Sequence, residues 1–186
     1  MICYLMRHGK DDETLRGGWS DAPLTDLGME QAKAAAEEFV RKQGRIGRIL
    51  SSDLPRAVQT AECVAQKLGL PVELRPEFRE VNNGVLAGMK NDLAQERYPG
   101  LFWNQLDWEE RYPDGESPKA FCERITSGWE QLRTEISASG ENVLLVTHGG
   151  VIHVILRIAA GEHYSNREKQ PKIGHCQVIE IEIGGL

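Results

Sequence analysis

Ile2-Cys3-Tyr4-Leu5-Met6-Arg7-His8-Gly9 opens with a short apolar run that ends on a cation, an imidazole and a residue with no side chain. The run reads as a buried strand. A phosphoryl group needs what the triplet offers: charge for its oxygens, an imidazole to attack phosphorus, and room for close backbone approach. Working outward, the same arrangement returns twice. Val143-Leu144-Leu145-Val146 runs into Thr147-His148-Gly149-Gly150, and the apolar run Ile46 to Leu50 leads into Ser51-Ser52-Asp53-Leu54-Pro55-Arg56. In an open parallel sheet, ligands bind outside the carboxyl ends of the strands, where helix N-termini favour anions. Three such strand ends predict that Arg7, His8, Arg56 and His148 gather around one anion, with two guanidinium forks able to meet phosphoryl oxygens in pairs.

The segments between these strands read as helices. Thr25 is a cap candidate, with Asp26 in the first turn and Ala32, Ala36, Phe39 and Val40 on one face; Gly44 marks the end. A second helix is predicted from Pro55 to about Leu68, with Ser52 and Asp53 as capping candidates and Gly69-Leu70-Pro71 as its stop. Val72 to Leu74 is a third, short strand. From Glu77 to Glu116 the chain is rich in aromatics, Pro and Gly, and reads as irregular structure with short helical pieces. Ser117-Pro118 opens a long helix with Phe121, Ile125, Trp129, Leu132 and Ile136 at helical spacing. Val143 to Val146 is apolar throughout, the mark of a central strand. A helix follows from Gly149 to Ala160, and the alternating run Val178 to Ile183 is a half-exposed strand near a sheet edge. The fold class is α/β, a three-layer α/β/α sandwich with a mostly parallel central sheet, in one domain over residues 1–186.

Composition narrows the function classes. At 186 residues the chain buries a core without staples. A net charge of −6 argues against a nucleic-acid partner, and no apolar run approaches the ~20 residues of a membrane span. The N-terminus is short and charged early, unlike a secretory signal, so a cytoplasmic protein is expected. Cys3, Cys63, Cys122 and Cys176 are scattered without metal or disulfide spacing and read as reduced thiols, which disfavours a zinc site or a disulfide framework. No metal and no cofactor is expected.

Four stretches together resemble the histidine phosphatase superfamily, in its phosphoglycerate-mutase-like branch. They are Arg7-His8-Gly9, then Pro23-Leu24-Thr25 with Gly28, Gln31 and Ala32, then Ser51-Ser52-Asp53-Leu54 with Arg56, Ala57, Gln59, Thr60 and Ala61, and Val146-Thr147-His148-Gly149-Gly150. The resemblance implies that His8 is the nucleophile that carries the phosphoryl group. It assigns Arg7, Arg56 and His148 to the phosphate pocket, with the Gly149 N–H as a further donor. The family's proton donor is a Glu before a pair of spaced glycines, and Glu80, ahead of Gly84 and Gly88, matches it. Asp114-Gly115-Glu116-Ser117 resembles a stretch common in the family's phosphatases, and its expected job is to cap the long helix.

The implied mechanism has neutral His8 attack phosphorus while the arginines and His148 hold the equatorial oxygens. Glu80, protonated through burial or neighbouring charge, then gives its proton to the leaving alkoxide, and water activated by the same carboxylate hydrolyses the phosphohistidine. The chain departs from the family at Lys10, where a carboxylate or amide is common. Lys10 either serves a substrate with extra negative charge or points to solvent, and solvent is the leading reading. Thr14 stands where Asn is frequent and weakly suggests a phosphate contact, and Arg16 is the basic residue of the same loop. The compact length favours a phosphatase of a small phosphorylated metabolite over a cofactor-dependent phosphoglycerate mutase or a non-catalytic phosphate-recognition module. The aromatic stretch Tyr98 to Tyr112 either walls the substrate pocket or packs on the core. A monomer or homodimer is expected.

Overall fold

Cys3, Leu5, Val143 and Leu145 are fully buried, and so are Met6, Leu144 and Val146, so both strands that carry these residues are covered on both faces. The protein is described by a computed structural model over residues 1–43 and 45–184. Five strands, β1 (Ile2–Arg7), β2 (Ile46–Ser51), β3 (Val72–Leu74), β4 (Asn142–Thr147) and β5 (Val178–Glu182), form one sheet in the order β3-β2-β4-β1-β5. The first four run parallel, and β5 pairs antiparallel with β1 at the edge. The most apolar strand is therefore the middle one, and the alternating tail is an edge, as their patterns predict. Gly44, read as a helix end, lies outside the described residues.

Alternation along β1 sorts the helices between the two faces. Tyr4 and Met6 pack with Ala36 and Phe39 of helix α1 (Asp26–Lys42) and with Ala57, Ala61 and Val64 of helix α2 (Pro55–Leu68). Cys3 and Leu5 face the other layer, which is made of helix α4 (Pro118–Ser139) and helix α5 (Gly149–Ala159) and includes Phe121, Trp129, Ile152 and Ile155. Burying a side chain of such size contributes roughly 1.5–3 kcal/mol. A short helix α3 (Asn91–Arg97) and three single 3₁₀ turns make up the irregular middle. Two of the aromatics there pack inward, while Trp108 is exposed: Trp103 stacks on Tyr112 with ring centres 6.1 Å apart and meets Phe121 of α4 edge-on at 5.5 Å.

Caps follow the sequence at two helices and depart from it at one. The Thr25 Oγ1 accepts from the Gly28 N–H, and the Ser117 Oγ from the Ala120 N–H. Helix α2 begins at Leu54 with no side-chain cap, contrary to the expectation for Ser52 and Asp53. The reason is competition: the Ser52 hydroxyl lies 2.9 Å from His148 Nε2, and the Asp53 carboxylate takes a two-pronged pair from Arg79 at 2.6 and 2.5 Å.

Beyond their last ladder residues, β1 and β2 stay stitched to β4. The His8 N–H donates to the Thr147 carbonyl at 2.9 Å, and the Ser52 N–H to the Val146 carbonyl at 3.0 Å. The three motif ends are thereby held side by side. Because β5 is antiparallel, its start at Val178, opposite Met6, lies at that same edge.

Candidate active site

His8 is 5% exposed, and its Nδ1 lies 2.7 Å from the Gly9 carbonyl oxygen. A carbonyl can only accept, so Nδ1 carries the hydrogen and Nε2 keeps the lone pair of a neutral ring. Burial, with the Arg56 and Arg7 guanidinium groups and His175 beside it, holds the His8 ring well below its usual value of 6.5. The backbone that presents it is locked. The Gly9 N–H donates to Thr60 Oγ1 of α2 at 3.0 Å, and a Cβ on Gly9 would meet the Gly28 carbonyl at 2.5 Å, a contact only glycine avoids.

The second imidazole, His148, is fully buried, and its ring centre is 5.1 Å from that of His8. Burial lowers it too, helped by Arg56, His8 and Arg7. Arg7 donates through Nη1 to the Ile173 carbonyl at 2.6 Å. Arg56 is 1% exposed; its Nη1 donates to the Ser20 carbonyl at 3.0 Å and its Nη2 to the Gly18 carbonyl at 2.7 Å, while Asp11 Oδ2 stands 3.4 Å from Nε. Burial pulls the Arg56 guanidinium below its usual value against the attraction of Asp11 and Glu80. Arg7 Nε, Arg56 Nε and His148 Nδ1 are buried with no hydrogen-bond partner among the described residues. Native structures leave few buried polar atoms unpaired, and these three belong to side chains at the same sheet edge; of them only Arg56 Nε has a carboxylate, that of Asp11, beside it.

Glu80 reaches the same edge from the irregular middle. Its Oε2 accepts from the Gly150 N–H at the start of α5 at 3.0 Å, and its Oε1 from the Val81 N–H at 3.1 Å. Its carbonyl accepts from Trp19 Nε1 at 2.7 Å and from Arg124 Nη2 at 3.1 Å. Arg124 is itself held by Glu116 at 2.7 and 2.8 Å, so Glu116 braces the segment of Glu80, a role beyond the helix cap expected for its stretch.

Gly149 stands beside Arg7: a Cβ there would lie 3.8 Å from Arg7 Nε. Lys10 turns to Glu13 Oε2 at 3.1 Å with its side chain 37% exposed. The Thr14 hydroxyl donates to Asp12 at 2.7 Å on an exposed stretch. Arg16 lies over the Phe102 ring at 5.0 Å. Sequence reading missed His175, whose ring is 5.9 Å from that of His8, and Asp11, beside Arg56. The signal for His175 was its place just before an alternating edge strand, at the edge where the parallel strands end. Among the described residues no three His, Cys, Asp or Glu side chains converge as a metal-holding group, and no helix is long and apolar enough to cross a membrane.

The profile of the histidine phosphatase superfamily (branch 1) matches residues 3–185. The chain belongs to that superfamily. It is 34% identical over 188 residues to a probable phosphoglycerate mutase GpmB of Yersinia pestis (strain Pestoides F), covering 96% of this chain and 83% of that one. Among solved structures, it is similar to mycobacterial glucosyl-3-phosphoglycerate phosphatase Rv2419c, with a TM-score of 0.80 and 28% identity over 97% of this chain and 89% of the other. A putative alpha-ribazole-5'-P phosphatase of Escherichia coli K-12 matches with a TM-score of 0.72 and 30% identity over 88% and 81% of the two chains. This histidine phosphatase superfamily member is accordingly an enzyme of the phosphatase type, on a phosphoglycerate-mutase-like fold.

Proposed function

We propose that the chain hydrolyses the phosphomonoester of a small phosphorylated metabolite through a phosphohistidine on His8, without a metal. The observation that carries this reading is the His8 tautomer: Nδ1–H bound to the Gly9 carbonyl leaves Nε2 as a nucleophile in a ring kept neutral by burial and by two guanidinium groups. Nε2 attacks phosphorus as the bond to the leaving oxygen breaks. Arg7, Arg56, His148 and the Gly149 N–H stabilise the charge on the equatorial oxygens. Glu80 gives its proton to the departing alkoxide, then takes one from the water that attacks the phosphohistidine, which returns His8 and releases phosphate. The guanidinium groups supply the positive charge that a divalent ion supplies elsewhere.

Support comes from the relatives. The mycobacterial phosphatase with this fold has been solved in complex with inorganic phosphate. A phosphoglycerate mutase reading is favoured by the name of the Yersinia relative and by the likeness to a solved phosphoglycerate mutase of Bacillus anthracis, 25% identical with a TM-score of 0.78. A panel of phosphorylated metabolites assayed for phosphate release, with an arm of 3-phosphoglycerate plus its bisphosphate assayed for isomerisation, separates the two. Phosphate release that survives EDTA is expected. Isomerisation without release, or activity lost in EDTA and restored by a divalent metal, would overturn the reading.

A further inference from the structure

His175 belongs to none of the motifs, yet it is the third imidazole of the site. Its Nδ1 lies 3.3 Å from the His8 carbonyl oxygen, which can only accept, so Nδ1–H is the donor. Its Nε2 faces Glu13 Oε1 at 3.6 Å, and Lys10 Nζ holds the other oxygen of Glu13 at 3.1 Å. The backbone turn that presents it is pinned as well. Cys176 takes a left-handed φ of 56°, unusual outside glycine, and its N–H donates to the Arg7 carbonyl at 2.9 Å. The His175 side chain is 17% exposed, while that of Glu13 is 61% exposed.

Both nitrogens of His175 thus face acceptors. A ring with one hydrogen satisfies one of them; the doubly protonated ring satisfies both. We propose that His175 is a positioning residue for His8: it fixes the His8 carbonyl through Nδ1–H and, whenever its ring is doubly protonated against Glu13, sets a positive charge beside the His8 ring that disfavours a second charge there. The proposal rests on the reading of His8 as nucleophile. Other charged or titratable groups around His8 come from each neighbouring element: Arg7 from β1, Arg56 from α2, and His148 between β4 and α5. His175 adds the face toward the start of β5. The opposing charge of Glu13 is more exposed and therefore more strongly screened by water. Lys10, the chain's departure from its family's motif, has the task of orienting Glu13.

Three full-length variants test this: His175→Ala, His175→Asn, whose amide nitrogen can stand where Nδ1 stands, and His175→Gln, whose amide nitrogen can stand where Nε2 stands. The readouts are the NMR titration of the His8 ring and kcat/KM against pH on an aryl phosphate. All three variants are expected to move the His8 titration, and the acid limb of kcat/KM, up by about one pH unit. On the plateau His175→Ala is expected to lose about tenfold, the worth of one hydrogen bond, which His175→Asn recovers and His175→Gln does not. A His8 titration unmoved by all three, or equal plateau recovery by Asn and Gln, overturns the proposal. If His175→Ala does not fold, the Asn and Gln variants carry the comparison. A native protein that releases no phosphate at any pH defeats the phosphatase reading instead, and the His8 titration still reports on His175.

Discussion

Gly150→Ala separates the chemistry of Glu80 from the stability of the fold. Gly150 is the second residue of α5, and its N–H holds Glu80 Oε2 at 3.0 Å. A Cβ there would stand 3.2 Å from Glu80 Cδ and 3.3 Å from Oε2, and it would press on Oε1 more closely than real Cβ contacts allow. What it meets is the far end of a flexible side chain, so the carboxylate yields and the backbone stays. The oxygen must withdraw until it stands at an ordinary 3.4 Å or more. Alanine favours a helix over glycine by up to about 1 kcal/mol, so the fold should be as stable as before or slightly more so. A donor moved by about 1 Å costs on the order of 10²-fold where its proton is needed. Alkyl phosphates leave as poor anions and need that proton, whereas aryl phosphates leave readily. The expected result is a fall of about 10–100-fold in kcat/KM on an alkyl phosphate and of less than about threefold on an aryl phosphate, with an unchanged or raised unfolding midpoint. Glu80→Gln should repeat this leaving-group pattern. Equal losses on both substrates with the fold intact, or no loss on either, would refute the donor geometry.

Other expectations follow from the same contacts. Gly28→Ala has the opposite sign from helix propensity: its Cβ would drive into the Lys10 backbone, with Lys10 N and C each at 2.8 Å, and disturb the two bonds that Thr25 gives the Lys10 carbonyl at 2.9 and 3.0 Å. Urea unfolding should show a net loss of about 2–4 kcal/mol; a gain would show that the loop gives way freely. Arg56→Lys keeps the charge and loses the fork that ties the Gly18 and Ser20 carbonyls, so KM should rise by about tenfold or more and the loop of residues 10–24 should become more sensitive to protease. An unchanged KM would remove Arg56 from the phosphate pocket. His8 and His148 are held neutral in the fold and protonate near 6.5 when unfolded, so the unfolded state gains protons first as pH falls. Stability should be level above pH ~7 and drop below pH ~6.5 by up to about 1.4 kcal/mol per pH unit for each ring, a slope that denaturant melts of His8→Ala should show reduced.

What was legible in the sequence were the strand ends. Met6 to Gly9, Leu50 to Arg56 and Val146 to Gly150 are local patterns, and a parallel sheet brings such ends to one edge whatever the intervening chain does. His175 was hidden because its strand runs antiparallel, and strand direction is decided by the connection from α5, which carries no such pattern. Ser52 and Asp53 misled for a related reason. Each has the chemistry of a cap, but His148 and Arg79 stand close enough in the fold to claim them. The hold on Glu80 was equally out of reach, since its partners Trp19, Arg124 and Gly150 come from three distant segments. The aromatic stretch fitted a pocket wall or core packing on sequence alone. Trp103 and Tyr112 pack because Phe121 of α4 meets Trp103, on which Tyr112 stacks.

The most direct measurement is a rapid quench of the native protein with a ³²P-labelled phosphomonoester, followed by mapping of the label. A covalent label that survives alkali, is lost in acid and resides on His8 is expected, with none formed by His8→Ala. A label on another residue, or full turnover by His8→Ala, would contradict the phosphohistidine on which the proposed mechanism stands.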